Sequence, residues 1–364
     1  MKQFYTLTLS LLALATFAQD GAPASPYYDG FNFEQTGTSL KNALASKITT
    51  THVNNLTYQE LENALMIVDL DPEDNSNTNL LLVYGFSDNM CPASTSDDED
   101  HRRRNKNFDD NGTADPCLWN REHTYPKALG NPDLGTSGPG ADAHHVRASD
   151  KKRNADRNND KYFDGTGNSF ESGQSWYPGD EWKGDVARMM MYMYLRYGSQ
   201  CLPTNVGVGT PVASDANMID LFLEWNAEDP VSEYEDNRNT YLGNANNAYG
   251  QGNRNPFIDN PYLATQIWGG PVAEDRWATA ATDNFFATHL SVYPNPAIDH
   301  EVNIYSETVL EEIQLINLNG QLIQYIEQPK AENNTYTVDN LPQGFYILRV
   351  TSGNQSATKK VIVN

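Results

Sequence analysis

The residues best suited to chemistry begin at Asn120-Arg121-Glu122-His123-Thr124-Tyr125-Pro126, where a carboxylate adjoins an imidazole behind an arginine. Asp142-Ala143-His144-His145-Val146-Arg147 and Lys151-Lys152-Arg153-Asn154-Ala155-Asp156-Arg157-Asn158 follow. Hydrolysis of a phosphodiester needs a base for water, neutralisation of phosphoryl charge and stabilisation of the departing oxygen. A neutral imidazole, with an ordinary pKa of about 6.5, suits the first task. A hard divalent cation suits the other two and requires only one or two protein oxygens. Strand neighbours point to opposite faces, so Glu122 and His123 can converge only at a strand end, bulge or turn.

Each motif has a plainer alternative. An Arg-Glu-His triplet is by itself common as structure. Asp142, His144 and His145, with Cys117, suggest zinc, yet the chain has neither C-x2-C nor H-E-x-x-H, and the spacing fits no standard zinc site. Asp156-x-Asn158-x-Asp160 begins like a calcium loop, but Lys161 replaces the required glycine and Gly167 the closing glutamate.

The elements that must position these groups fit into 364 residues, about right for two domains. At 38% hydrophobic the chain can build a core. A net charge of -23 argues at first against a nucleic-acid partner. Between Arg102 and Lys161, however, twelve Lys or Arg face nine Asp or Glu, which suggests a local basic face on an acidic protein. Lys127, Arg147, Lys151 and Lys152 are its expected phosphate-facing cations. In Asp97-Asp98-Glu99-Asp100-His101-Arg102-Arg103-Arg104 a solvated, self-compensating loop is favoured over a nucleic-acid contact. Residues 1–18 form an export signal, with Lys2, an apolar run from Leu7 to Leu14 and the small-residue site Thr16-Phe17-Ala18. No other stretch approaches the roughly 20 apolar residues of a membrane span. Of three cysteines, Cys91 and Cys117 are the favoured pair, with Cys201 left over.

Leu40–Leu44 and Leu56–Val68 read as helical and Leu80–Tyr84 as a buried strand. Asp185–Tyr197 is the clearest helix, with Val186, Met189, Met190, Met193, Tyr194 and Tyr197 on one stripe and Gly198 as its stop. A second helix is expected over Asn217–Asn226. Ala278–Thr288 reads as a linker. Beyond it the pattern is all-β: a strand at Val302–Tyr305, a hairpin about Asn319-Gly320, and an alternation placing Tyr346, Leu348 and Val350 on one face.

Taken in order, the motifs resemble the bacterial endonuclease I family, secreted or periplasmic nucleases of the His-Me finger (ββα-metal) group. The matching pieces are Asn120–His123 with Pro126, Asp142–Arg147, Asn154 with Arg157 and Asn158, Lys183-Gly184-Asp185-Val186-Ala187-Arg188, Asp229-Pro230-Val231 and Gln251–Asp259. Lys183 stands where the family often has arginine, and Ala148 where it usually has proline. The resemblance implies an α+β fold and a nuclease domain at 19–277. It implies His123 as general base, and Glu122 and Asn154 as ligands of one Mg²⁺, with Mn²⁺ or Ca²⁺ as alternatives. It further implies a phosphate contact from Arg157 and an orienting role for His144 or His145. The substrate would be DNA, with RNA as an alternative, cut with little sequence specificity by a monomer.

Val292-Tyr293-Pro294-Asn295-Pro296, Asn319-Gly320 and Leu341-Pro342-Gln343-Gly344-Phe345-Tyr346-Ile347 resemble the C-terminal sorting domain of type IX secretion cargo. This implies a small β-sandwich at 289–364, a partner in the type IX machinery, and release outside the cell or attachment to its surface. The rival readings are a non-catalytic surface adhesin and a zinc- or calcium-dependent hydrolase of another substrate.

Overall fold

The structure, a computed structural model, describes residues 22–86, 101–115, 117–277, 290–317, 321–352 and 355–364. The expected export signal, Cys91, the run Asp97–Asp100, the linker at 278–288 and the Asn319-Gly320 turn lie outside those residues. The chain mixes helices with short strands, an α+β architecture with a strand-rich C-terminal part. It divides into two compact units, Met1–Trp277 and Ala278–Asn364.

In the first unit, α1 (Gly37–Thr51) buries Leu40, Leu44 and Ile48 at helical spacing. At the start of α2 (Tyr58–Val68) the Thr57 hydroxyl accepts from the Glu60 amide, and the Glu60 carboxylate accepts from the Thr57 amide. This reciprocal cap fixes where the helix begins. β1 (Asn79–Leu81) pairs antiparallel with β2 (Arg103–Asn105). β1 is shorter than the expected Leu80–Tyr84 strand: Val83 leaves it to bridge Ser149, and Tyr84 takes φ +68°.

β3 (Trp119–His123) and β4 (Val146–Asp150) pair antiparallel, with Glu122 opposite Arg147 and His123 opposite Val146. α3 (Lys151–Arg157) follows β4 without a loop. Its start is set by Asp150, whose carboxylate accepts the Lys152 and Arg153 amides at 2.8 and 3.0 Å. Three short strands follow: β5 (Lys161–Tyr162), β6 (Phe170–Ser172) and β7 (Ser175–Tyr177).

α4 (Lys183–Tyr197) is buried on every side from Gly184 to Leu195, not along one stripe. Its charges are neutralised locally: Asp185 lies 3.1 Å from Arg147, and Arg188 lies 2.6 Å from Glu235. Gly198 ends it at φ +55°. Beyond α5 (Pro203–Val206) and β8 (Pro211–Val212), the expected helix over Asn217–Asn226 is displaced. Residues Asp215–Ile219 form β9, and α6 spans Asp220–Glu228. Asp215 is held by Lys41 and Trp268, and the Asp220 carboxylate accepts the Thr210 and Leu221 amides. These contacts keep the segment extended up to Ile219. α7 (Glu233–Gly243), α8 (Pro256–Asp259) and α9 (Tyr262–Trp268) complete the unit.

In the second unit, β10 (Leu290–Tyr293), β11 (Val302–Ser306) and β14 (Thr335–Val338) form one antiparallel sheet. β13 (Leu322–Glu327), β12 (Glu312–Asn317), β15 (Gly344–Ser352) and β16 (Gln355–Val363) form the other. The two sheets share one apolar cluster, to which β15 contributes Tyr346, Leu348 and Val350.

The expected basic face does not form. Arg104, Arg147 and Arg157 are buried against Asp150, Asp185 and Glu122, at 3.2, 3.1 and 3.2 Å. Arg102, Arg103 and Arg121 pair with Glu181, Asp71 and Glu62. Lys151 and Lys152 pair with Asp110 and Asp156. Lys106 and Lys161 donate to the carbonyls of Asn77 and Thr204, and Arg153 lies over the Phe86 ring. Nor are His101–Arg104 a solvated loop: His101 is buried 2.7 Å from Asp150, and Arg103 opens β2. The partners come both from the segment itself, as Asp110, Glu122, Asp150 and Asp156, and from the acidic remainder, as Glu62, Asp71, Glu181 and Asp185.

Candidate active site

β3 ends at His123, and the chain turns there through Thr124, yet the Glu122 and His123 side chains do not converge. The His123 ring is buried, and its Nε2 donates to the carbonyl of Gly140 at 2.9 Å. A carbonyl can only accept, so Nε2 carries the proton and Nδ1 keeps a lone pair. Burial, followed by the neighbouring His145, pushes the pKa of His123 down to about 3, so the imidazole is neutral near pH 7. Tyr58, at the start of α2, stacks on the ring at 5.9 Å and 17°. The carbonyl that sets the tautomer belongs to a 3₁₀ turn, Gly138–Ala141. A Cβ at Gly140 would run into the carbonyls of Gly135 and Leu134, so this approach requires glycine.

Glu122 is turned the other way, as strand alternation dictates. Its Oε1 accepts from the Tyr84 hydroxyl at 2.9 Å and lies 3.2 Å from Arg157 Nε. Burial raises the Glu122 pKa, and the Arg157 guanidinium pulls it back. Arg157 is itself fully buried, donates to the carbonyls of Thr124 and Asn158, and faces the Tyr162 ring. It is thus placed against a carboxylate and not toward solvent, where the expected phosphate contact would be. Tyr84 and Tyr162 share a 2.6 Å hydroxyl contact beside Glu122.

From α3, the Asn154 amide donates to Asn120 Oδ1 at 2.7 Å and to the Arg121 carbonyl at 3.1 Å. Both its N–H groups are therefore committed to Asn120 and Arg121 of β3, just before Glu122. The structure thus brings Arg157 against Glu122 and Asn154 against the strand, and points the His123 ring toward Gly140. Among the described residues, no three His, Cys, Asp or Glu side chains converge as metal ligands.

His144 and His145 are buried in scaffold. The Nε2 atoms of His144 and His145 reach the carbonyls of Asn253 and Pro139, at 3.0 and 2.7 Å. The Asp142 carboxylate accepts from Tyr192, Tyr197, Gln251 and the His144 amide. The Gln251–Asp259 segment thus braces the His-His segment. Cys117 is disulfide-bonded, whereas Cys201 is a free, buried thiol.

Burial pushes the His145 pKa down to about 4, from an ordinary 6.5. Between these values the unfolded chain binds a proton that the folded protein does not, so this contribution is lost as pH falls from 6.5 to 4. The stability difference between wild type and His145→Asn, from urea unfolding, should shrink on the order of 3 kcal/mol between pH 7 and pH 4. A difference constant with pH would show that His145 titrates alike in both states.

Composition and spacing missed several neighbours. Tyr58 was legible only as an apolar position of a helix. Tyr84 carried no signal, although a non-glycine residue at positive φ is a frequent mark of functional sites.

Comparison with known proteins identifies the family of each unit. Residues 36–262 match the Endonuclease I family, and residues 291–364 match a secretion system C-terminal sorting domain. The extracellular ribonuclease of Bacillus subtilis (strain 168) is 38% identical over 273 residues, covering 72% of this chain and 84% of that protein. The extracellular ribonuclease of Bacillus amyloliquefaciens is 37% identical over 246 residues, covering 64% and 75%. Ulvan lyase NLR42 of Nonlabens ulvanivorans is 30% identical over 87 residues, covering 24% and 16%. The chain belongs to the endonuclease I family and is a secreted or cell-surface nuclease that carries a C-terminal sorting domain.

Proposed function

We propose that this nuclease is a divalent-metal-dependent endonuclease that hydrolyses phosphodiester bonds of DNA with little sequence specificity, β3, β4 and α3 being its ββα unit. The observation that carries the reading is the His123 ring, neutral and held by Gly140 in the tautomer that frees Nδ1. In that state Nδ1 takes a proton from the attacking water. Glu122 and Asn154 would hold the metal, an all-oxygen donor set that suits Mg²⁺. The fit rests on Asn154, whose N–H groups are both committed to β3. When bound, the ion supplies Lewis-acid stabilisation of phosphoryl charge and of the departing oxygen. Tyr84 and Arg157 keep the buried Glu122 oriented, Arg157 acting through the carboxylate as a positioning residue. The names of the two Bacillus relatives favour RNA as a second substrate. Plasmid and RNA digestion by the purified protein tests the reading, and loss of neither substrate would overturn it.

The domain division carries its own prediction. A chain ending at Ala287 keeps the fold of the first unit and its cleavage activity but is not exported. Secretion and cleavage of both forms check this; a well-folded but inactive short chain would make the tail part of the enzyme.

A further inference from the structure

Eleven of the twelve cations between Arg102 and Lys161 are engaged by carboxylates, carbonyls or an aromatic ring other than that beside His123, as described above. Lys127 differs from them. Among the described residues its ammonium has no hydrogen bond or ion pair; its one contact is with the Tyr58 ring, 5.4 Å from the centroid. That same ring stacks on the His123 imidazole. Arg121 also lies over it, at 4.0 Å, but Arg121 is neutralised by Glu62 at 2.8 Å and donates to the Tyr58 carbonyl.

The backbone beneath Lys127 is fixed. Its carbonyl accepts from the amides of Gly130 and Leu134 at 3.2 and 3.1 Å, and Pro126 precedes it at φ −57°. The side chain is half-buried. A cation held over an aromatic face is attracted by the ring quadrupole, which orders the ammonium while leaving its three donors unused. In a chain of net charge -23, an uncompensated ammonium one ring away from the candidate base is a local reversal of sign. It shares the Tyr58 ring with the candidate base, and a lysine ammonium binds phosphate as a compact point charge.

We propose that Lys127 is a substrate-binding residue of this site: its ammonium, carried on the Tyr58 ring beside His123, contacts a non-bridging phosphate oxygen of the nucleic-acid backbone next to the scissile bond. This rests on the reading of His123 as the base, and it gives Lys127 the phosphate contact that the burial of Arg157 precludes. Being a backbone contact, it is blind to sequence.

The test measures binding of a short fluorescein-labelled DNA duplex, in EDTA, across a salt series. The proteins are full-length His123→Ala, His123→Ala/Lys127→Ala and His123→Ala/Lys330→Ala, the last removing an exposed lysine of the second unit. Loss of Lys127 should weaken binding roughly tenfold. It should also reduce the slope of log affinity against log salt by about one, equally for unrelated sequences. Loss of Lys330 should do neither. In the cleaving protein, Lys127→Ala should raise KM with kcat nearly kept, and Lys127→Arg should restore KM. Tyr58→Ala should reproduce the Lys127→Ala effect on the slope and Tyr58→Phe should not, because the ring face does the holding. Thermal melting identifies any variant that fails to fold, and the Tyr58 pair then decides. An unchanged slope with affinity within twofold overturns the proposal. If His123→Ala cleaves like wild type, the base reading fails, and the binding series in EDTA, repeated on the wild-type background, still judges Lys127.

Discussion

Replacing His123 by alanine is expected to lower the rate of phosphodiester cleavage roughly 10²–10⁴-fold, the usual contribution of a positioned general base. The loss should fall on kcat, because the proton transfer occurs in the chemical step. Stability should change little by comparison. The ring makes one hydrogen bond, to Gly140, with a net worth of about 1 kcal/mol, and it stacks on Tyr58 at the edge of the core. Cleavage and thermal unfolding of the same preparation separate the effects. A folded His123→Ala protein that retains near-native kcat would remove His123 from the chemistry.

The second large effect concerns the metal ligands. Glu122 is a poor first probe, because deleting it strands Arg157 as an uncompensated buried charge, a defect that typically costs about 3–5 kcal/mol. Asn154 is cleaner. Its amide contacts are made to Asn120 and Arg121 at the edge of β3, so Asn154→Ala should fold. Members of this family are generally divalent-metal dependent. Even groups that merely orient metal ligands contribute about 10–100-fold to affinity or activity. Asn154→Ala should therefore need at least that much more Mg²⁺ to reach half-maximal cleavage. A wild-type Mg²⁺ response in the variant would take Asn154 out of the ligand set.

Much of the scaffold was legible in the sequence because local rules decided it. Apolar spacing over Leu56–Val68 anticipated α2 to within two residues of its start, and Gly198 marks where α4 ends. Alternation placed Tyr346, Leu348 and Val350 inside the second unit. What was not legible depended on long-range pairing. The run at His101–Arg104 looked like surface until β2, Asp71 and Asp150 were brought to it. The stripe on α4 understated its burial, because helices close over more than one face and Arg147 neutralises Asp185. At the site, the order of motifs offered Glu122, His123 and Asn154 as candidates. It gave no hint of the Gly140 carbonyl that sets a tautomer, or of Tyr84, whose hydroxyl reaches Glu122 from a residue at positive φ. Such groups are fixed by where backbone passes, and residue types along the chain do not encode that directly.

The central claim, metal-dependent phosphodiester hydrolysis by this secreted chain, is tested most directly by one measurement. Initial cleavage rates of plasmid DNA and of RNA by the full-length protein are compared in Mg²⁺, after EDTA, and after Mg²⁺ is restored. The account predicts that EDTA abolishes cleavage and that added Mg²⁺ recovers it. Cleavage undiminished in EDTA would contradict it.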